Sequence, residues 1–300
     1  MTQVSASTDS ATVPVGVLPP DLGQTSPAVI KASQRVTPES TDEVRHITLE
    51  VMDPAFQYVE GQSIGVVVPG PHDFGNAYHL RRYSIANARS VPVGSGVNLD
   101  ILVRRCFYVD EISGERYPGV ASNFLCDAKP GQQITLTGPY LSPFRMPLDS
   151  RANILMIGTG TGIAPFRAFA QHIYERRGDW KGQVRLYYGG HSGLDLMYTN
   201  DEHTDLANYY DEKTFKAFRA LGSRPLMTSS QALEQGLHDH AAEAWRLIKD
   251  TNTHVFISGL SKAAKVFCKV MAEQAGSEEA WLKVKEQMIE DSRWSELIYD

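Results

Sequence analysis

The chain is short of cysteine, with three in 300 residues: Cys106, Cys126 and Cys268, far apart and without a C-x-x-C pair. That spacing argues against a disulfide framework and a zinc site, and three thiols cannot ligate an iron–sulfur cluster, which takes four ligands, usually cysteines. No metal site is expected. Nor does any apolar run approach the ~18 residues of a membrane span, so the expectation is a soluble, cytoplasmic protein of a reducing compartment. No Lys or Arg precedes Lys31, and the N-terminus has no hydrophobic h-region. Residues 1–28, rich in Ser, Thr, Val, Pro and Gly, are therefore expected to be a flexible arm rather than a secretory or transit signal. Excess positive charge is missing too. A formal charge of −6 argues against nucleic acid as the main partner, while leaving local basic patches open.

What the chain does have is a glycine-rich turn: Asn153-Ile-Leu-Met-Ile-Gly158-Thr159-Gly160-Thr161-Gly162-Ile-Ala-Pro165-Phe166-Arg167. Four apolar residues ending at Gly158 read as a buried parallel strand, and Pro165 suits the first turn of a following helix, where no N–H is needed. Residues without side chains let backbone N–H groups approach a pyrophosphate closely, and the helix N-terminus favours its negative charge. The spacing is not the Rossmann fingerprint, and no Gly-Lys-Ser/Thr follows, so this is no Walker loop. On its own, the turn could equally bind nothing.

The flanking pattern changes character halfway along the chain. From Val29 to about Phe144 it gives short alternating runs, Val44–Val51, Ser63–Val68, Val97–Val103 and Gln133–Thr137, separated by Gly, Pro and Asp. Such runs predict an antiparallel barrel over residues 29–148. Residues 149–300 then alternate strand and helix: strands at Val184–Tyr188, Pro225–Thr228 and His254–Ser258, helices at Gln231–Lys249 and Lys262–Gln274. Asp201–Leu221 reads as an insertion, a candidate partner surface.

Three motifs at this order and spacing resemble plant-type ferredoxin–NADP reductases: Glu60-Gly-Gln-Ser-Ile-Gly65, Arg81-Arg82-Tyr83-Ser84, and Gly119-Val120-Ala-Ser122-Asn123-Phe-Leu-Cys126. The glycine-rich turn, Ile257-Ser258-Gly259-Leu260 and the terminal Trp294–Tyr299 extend the similarity over residues 30–299. The resemblance implies a β + α/β fold: an antiparallel FAD-binding β-barrel followed by a parallel-sheet nucleotide-binding domain. It also implies hydride transfer between nicotinamide C4 and flavin N5, with electrons passed singly to a small acidic carrier, a ferredoxin or flavodoxin. Arg81 would pair with the FAD pyrophosphate, Tyr83 would lie along the flavin, and Ser84 would hydrogen-bond N5. Gly119, Val120, Ser122 and Asn123 would supply the second phosphate contact, Tyr108 would stack on adenine, and Arg104 would stand for a Lys near the nicotinamide nucleotide. Gly158–Gly162, Pro165, Gly259 and Leu260 would hold that nucleotide, and Tyr299 would cover the flavin. Arg81, Arg82, Arg105, Lys262, Lys265 and Lys269 are the candidate docking surface for the carrier.

Two positions depart from the family pattern. Ser258 stands where the family has a catalytic Cys, and Leu297 where it has a Glu, with Glu296 one residue earlier. The family grips the coenzyme 2′-phosphate with a Ser-Arg pair just after the third strand of this domain. With that strand at Pro225–Thr228, the matching residues are Ser229 and Ser230, with Ala232 at a family Tyr, and the loss of the guanidinium favours NADH slightly over NADPH. An NADH-dependent reductase component serving an oxygenase or other redox partner is the competing enzyme reading. A flavin-free binding module is the competing non-enzyme one.

Overall fold

The computed structural model describes residues 22–70, 77–89, 96–175, 180–190, 215–221 (backbone only) and 228–299. Its first half is built from β1 (Thr25–Arg35), β2 (Val44–Val51), β3 (Ser63–Pro69), β4 (Tyr78–Ser84), β5 (Val97–Arg104), the hairpin β6 (Phe107–Val109) and β7 (Arg116–Pro118), α1 (Val120–Asp127) and β8 (Gln133–Tyr140). Six strands pair antiparallel in the order β4-β3-β8-β1-β2-β5, and a bridge from Ile85 to Ile101 joins the ends of the sheet into a barrel. Alternation supplies the interior: Ile30, Ile47, Leu49, Ile64, Leu99 and Leu136 are fully buried. Leu125 and Cys126 of α1 pack into the same core.

The barrel begins earlier than the composition predicts. β1 starts at Thr25, so the last four residues of the expected arm are strand, and Ala28 is fully buried. Pro27 looks like a linker signal but is the third residue of β1, opposite Thr135 of β8. Its carbonyl takes the Met52 N–H just past the end of β2, on the side where its missing donor leaves no ladder position unfilled.

The second half is a parallel sheet in the order β11-β10-β9-β12-β13, with β9 (Asn153–Thr159) central, then β10 (Val184–Gly190), β11 (Phe215–Leu221), β12 (Thr253–Gly259) and β13 (Trp294–Ile298). Every residue of β9 is buried, as expected of a strand covered on both faces. Ile154 and Met156 face α2 (Ile163–Glu175); Leu155 and Ile157 share a core with α3 (Ser229–Asp239), α4 (Ala241–Ile248), α5 (Ser261–Ala275) and α6 (Glu278–Glu290). The helix expected over Gln231–Lys249 is broken at His240, whose φ of −121° ends α3 and starts α4.

The third strand lies elsewhere than the sequence reading puts it. It is Phe215–Leu221, paired in register with Val184–Gly190, inside the stretch read as an insertion. Its apolar run is interrupted by Lys216 and Arg219, and among the described residues it stands at the edge of the sheet, where a strand reads as more polar than a central one. Residues 201–214 and 222–227 lie outside the described residues, and Thr228 is the N-cap of α3 rather than strand.

Candidate functional site

On the barrel, β4 carries the first group of site residues. Arg81 is exposed and Tyr83 half-buried against the barrel core. Burial raises the Tyr83 phenol well above its ordinary range, against a smaller opposing pull from Arg81, so the ring stays neutral. Gly119 is the N-cap of α1 and gives it no side-chain cap, so its first-turn N–H groups are left for another acceptor. Side chains of Ser122 and Asn123 tie that turn down instead. Ser122 Oγ accepts from Cys106 N at 3.1 Å, and Asn123 Nδ2 donates to the carbonyls of Gly119 at 2.8 Å and Cys106 at 2.9 Å. Tyr108, 59 % exposed, stacks on Tyr117 with ring centroids 5.3 Å apart, forming an aromatic platform on the β6–β7 hairpin.

At the sheet, β9 runs through a 3-10 turn, Gly160–Gly162, into α2. Gly158 and Gly162 are required by close packing: a Cβ on Gly162 would lie 2.4 Å from the Ser258 carbonyl oxygen, and one on Gly158 would lie 2.9 Å from the Phe166 ring. Gly160 answers a different need, with φ of +57° and open space where a Cβ would stand. Tyr188 donates to its carbonyl at 2.7 Å, which holds the turn. Thr159 is 3 % exposed, and its hydroxyl has no hydrogen-bond partner among the described residues. Pro165 is buried in the first turn of α2.

The two halves meet at one hydroxyl. Tyr299 Oη lies 3.2 Å from Ser84 Oγ at the end of β4 and 3.0 Å from Ser258 Oγ at the end of β12. Burial raises the phenol pKa, with the two serine bonds pulling the other way. Glu296 is held elsewhere, by Lys285 at 3.1 Å and the Trp294 indole N–H at 2.7 Å. Leu297 packs on the core.

Not every expected residue joins this site. Arg104 is paired with Asp42 on the surface. Ser230 is buried, and Thr228 and Gln231 form a capping box for α3, with Gln231 N donating to Thr228 Oγ1 at 3.2 Å. In the candidate docking surface, Arg105 is tied to Glu43, Asn123 and Asp127, Lys269 to Glu234, and Arg82 lies over the Tyr140 ring at 3.9 Å. Two ties between the halves were given no role from sequence. Arg167 of α2, buried, donates to the Ala86 carbonyl at 2.7 Å and pairs with Asp100 at 3.1 Å; His172 pairs with Glu60 at 3.1 Å. Among the described residues no helix is long and apolar enough to cross a membrane.

A closed antiparallel barrel followed by a parallel sheet with a glycine-rich first turn, the two joined at the strand ends, defines the class: a two-domain architecture of β-barrel and α/β nucleotide-binding type. Residues 156–269 match the family model described as an oxidoreductase NAD-binding domain. Over 257 residues the chain is 32 % identical to a ferredoxin–NADP reductase of Synechocystis sp., a match covering 84 % of this chain and 62 % of that protein. Against the chloroplastic enzyme of Spinacia oleracea it is 33 % identical, covering 81 % and 66 %, and against leaf isozyme 1 of Arabidopsis thaliana 34 %, covering 81 % and 68 %. The chain thus spans a little under two thirds of the first two of these relatives. The solved ferredoxin–NADP+ reductase of Plasmodium falciparum superposes with a TM-score of 0.69 at 21 % identity, over 92 % of this chain and 96 % of that one. The chain belongs to the ferredoxin–NADP reductase family.

Proposed function

We propose that the protein is an FAD-dependent reductase passing electrons between NADP(H) and a small acidic one-electron carrier, a ferredoxin or flavodoxin. The observation that carries this reading is the Tyr299 hydroxyl between Ser84 and Ser258, because it joins the strand end expected at the flavin to the strand end beside the nucleotide turn. The residues fit the flavin: the uncapped first turn of α1 suits a pyrophosphate, the exposed Tyr108–Tyr117 pair suits an adenine, and Arg81 is the cation between them and Ser84 in sequence. They also fit the coenzyme, through the open left-handed Gly160 and the unpartnered buried Thr159 hydroxyl. When bound, FAD supplies the conversion between a hydride and single electrons. The chain's own residues bind and orient both cofactors, and with Tyr299 they exclude water from the junction.

NADPH, not NADH, is the coenzyme proposed. With the third strand at Phe215–Leu221, the residues just after it are Gly222-Ser223-Arg224, which restores the Ser-Arg pair at the place where the family grips the 2′-phosphate. The carrier surface narrows to Arg81, Lys262 and Lys265, all exposed. A cytoplasmic location rests on the scattered cysteines alone. The test is a yellow purified protein that reduces ferredoxin with NADPH, with kcat/KM at least about a hundredfold above that for NADH, roughly 2.7 kcal/mol of discrimination. Preference for NADH with an oxygenase-type acceptor would overturn it in favour of the reductase-component reading. A colourless protein refusing FAD would remove both.

A further inference from the structure

A cavity opens where the two halves and the segment joining them meet, and it contains none of the residues assigned above to FAD or the coenzyme. Its volume is about 540 Å³, inside the ~300–1,000 Å³ range of small-molecule sites, which concentrate at boundaries of this kind. Glu60 and Arg89 line it from the barrel, Leu141, Arg145 and Leu148 from the connecting segment, and His172 and Trp180 from the second half. Trp180 and the adjoining Phe144 are buried in the core shared with α2 and form an apolar floor. The rim is apolar as well: Leu141 is 80 % exposed and Leu148 fully exposed, two large hydrocarbon side chains left in water at one cavity. Free charge on the lining has one sign. Arg89 and Arg145 are both exposed, and among the described residues neither guanidinium is in an ion pair. Glu60 is the one carboxylate of the lining, and its Oε1 already accepts from the Arg89 N–H at 2.9 Å and faces His172 at 3.1 Å.

We propose that this cavity is a binding site for an organic anion with an apolar body, a carboxylate carried on an aryl or acyl group. Its head pairs with Arg89 and Arg145, and its body covers Leu141 and Leu148. The chemistry follows from the walls. An apolar floor and rim favour hydrocarbon, a guanidinium holds a carboxylate through charge-assisted and bidentate hydrogen bonds, and a Glu60 already engaged leaves little to attract a cation. A nucleotide suits the cavity less well, because its ribose and phosphates would lie against leucine. Since the walls come from both halves and from the segment between them, an occupant stabilises the packed arrangement over an opened one. By linkage, the melting temperature then rises with the concentration of the anion.

The probe is naphthoate, titrated by calorimetry into holoenzyme saturated with NADP+ so that the cofactor sites are filled, with decanoate as its acyl counterpart. One molecule should bind per chain, and the tighter of the two anions identifies the body. Arg89→Gln and Arg145→Gln should each weaken binding about three- to fivefold, as loss of a partly exposed ion pair does, and the double variant about tenfold or more. Naphthamide keeps the body and loses the charge, so it should bind wild type and the double variant alike. Leu148→Asp, at a fully exposed position, should leave the melting temperature without ligand unchanged and weaken naphthoate at least about tenfold. Naphthoate should raise the melting temperature of wild type and shift that of Leu148→Asp far less. Absence of heat and of a melting shift from both anions up to about 1 mM, equal binding by the double variant, or equal binding of acid and amide by wild type would overturn the site. Binding that appears only once residues 1–21 are removed would mean that the chain fills its own cavity, and would overturn it too. The variants locate the site, so titrations of the protein as purified decide it even where the functional reading fails for want of FAD.

Discussion

Glycines a few residues apart in the nucleotide turn serve different ends, and substitution should separate them. In Gly162→Ala the new methyl meets the backbone of Ser258 at 2.4 Å, an atom that cannot rotate away. Strain of this overpacking kind costs about 1–3 kcal/mol, so the variant should melt lower and bind coenzyme poorly as a consequence. Gly160→Ala meets no atom within 4 Å but must hold φ near +57°. Its stability cost is about 1–2 kcal/mol at most, while the methyl projects into the space proposed for a pyrophosphate. Coenzyme affinity should therefore fall at least about tenfold with little change in melting, which a thermal scan paired with an NADP+ titration reads directly. On the barrel side, Arg81→Ala removes a charge-assisted phosphate contact of roughly 1.5–3 kcal/mol, so FAD should bind about one to two decades more weakly in a reconstitution titration. Unchanged flavin affinity would remove Arg81 from the site.

Individual elements divide into those their sequence declares and those it disguises. β9 declares itself, because a strand covered on both faces must be apolar at every position and must then turn through glycine to start α2. Ser84, Ser258 and Tyr299 were recognisable from motifs far apart in the chain, although their convergence on one hydroxyl needed the fold. β11 is disguised, since among the described residues it pairs on one side only and its Lys and Arg positions read as surface. A third strand at Pro225–Thr228 points to Ser229 and Ser230 as the phosphate grip, whereas one at Phe215–Leu221 points to the proposed Ser223 and Arg224. Substitution tests that proposal. Thr228→Ala should remove the capping box, lower stability by about 1 kcal/mol and leave coenzyme preference untouched. Arg224→Ala should leave melting nearly unchanged and remove most of the NADPH preference in kcat/KM. The reverse pattern would restore Ser229 and Ser230 as the coenzyme contacts.

The whole molecule depends on how its halves are held, since the proposed hydride-transfer junction, assembled from both, needs them fixed to within about half an ångström. Part of that hold is apolar: Phe144, on the segment after β8, packs against Phe166, Phe169 and Phe256 of the second half, with ring centroids 5.2–6.3 Å apart. The remainder is polar and partly ionic. Asp100 gathers Thr48, His46 and Arg167, Gln171 accepts from Ala88 N at 2.9 Å, and Glu60 pairs with His172. None of these pairings was legible in the sequence, because a long-range ion pair leaves no periodicity, even though Glu60 and Arg167 both stand in the motifs that carried the resemblance. Glu60 is the titratable one to test, being 8 % exposed. Burial acts to raise its pKa, but hydrogen bonds from His172 and the Arg89 N–H outweigh that and hold the carboxyl at about 2, against an ordinary 4.5. A folded-state value below the unfolded one means that the stabilisation is complete above about pH 4.5 and disappears as the pH falls through about 2. Its upper bound is about 3.5 kcal/mol. Glu60→Gln keeps the shape and an acceptor for Arg89 but gives up the charge. The variant should therefore melt below wild type at neutral pH, and the two curves should converge between pH 4.5 and 2 as the wild-type carboxylate takes up its proton. Thermal scans of both holoenzymes across that range make the comparison, with flavin release followed alongside unfolding. A gap that stays constant down to pH 2 would mean that the Glu60 charge does not help to tie the two halves together.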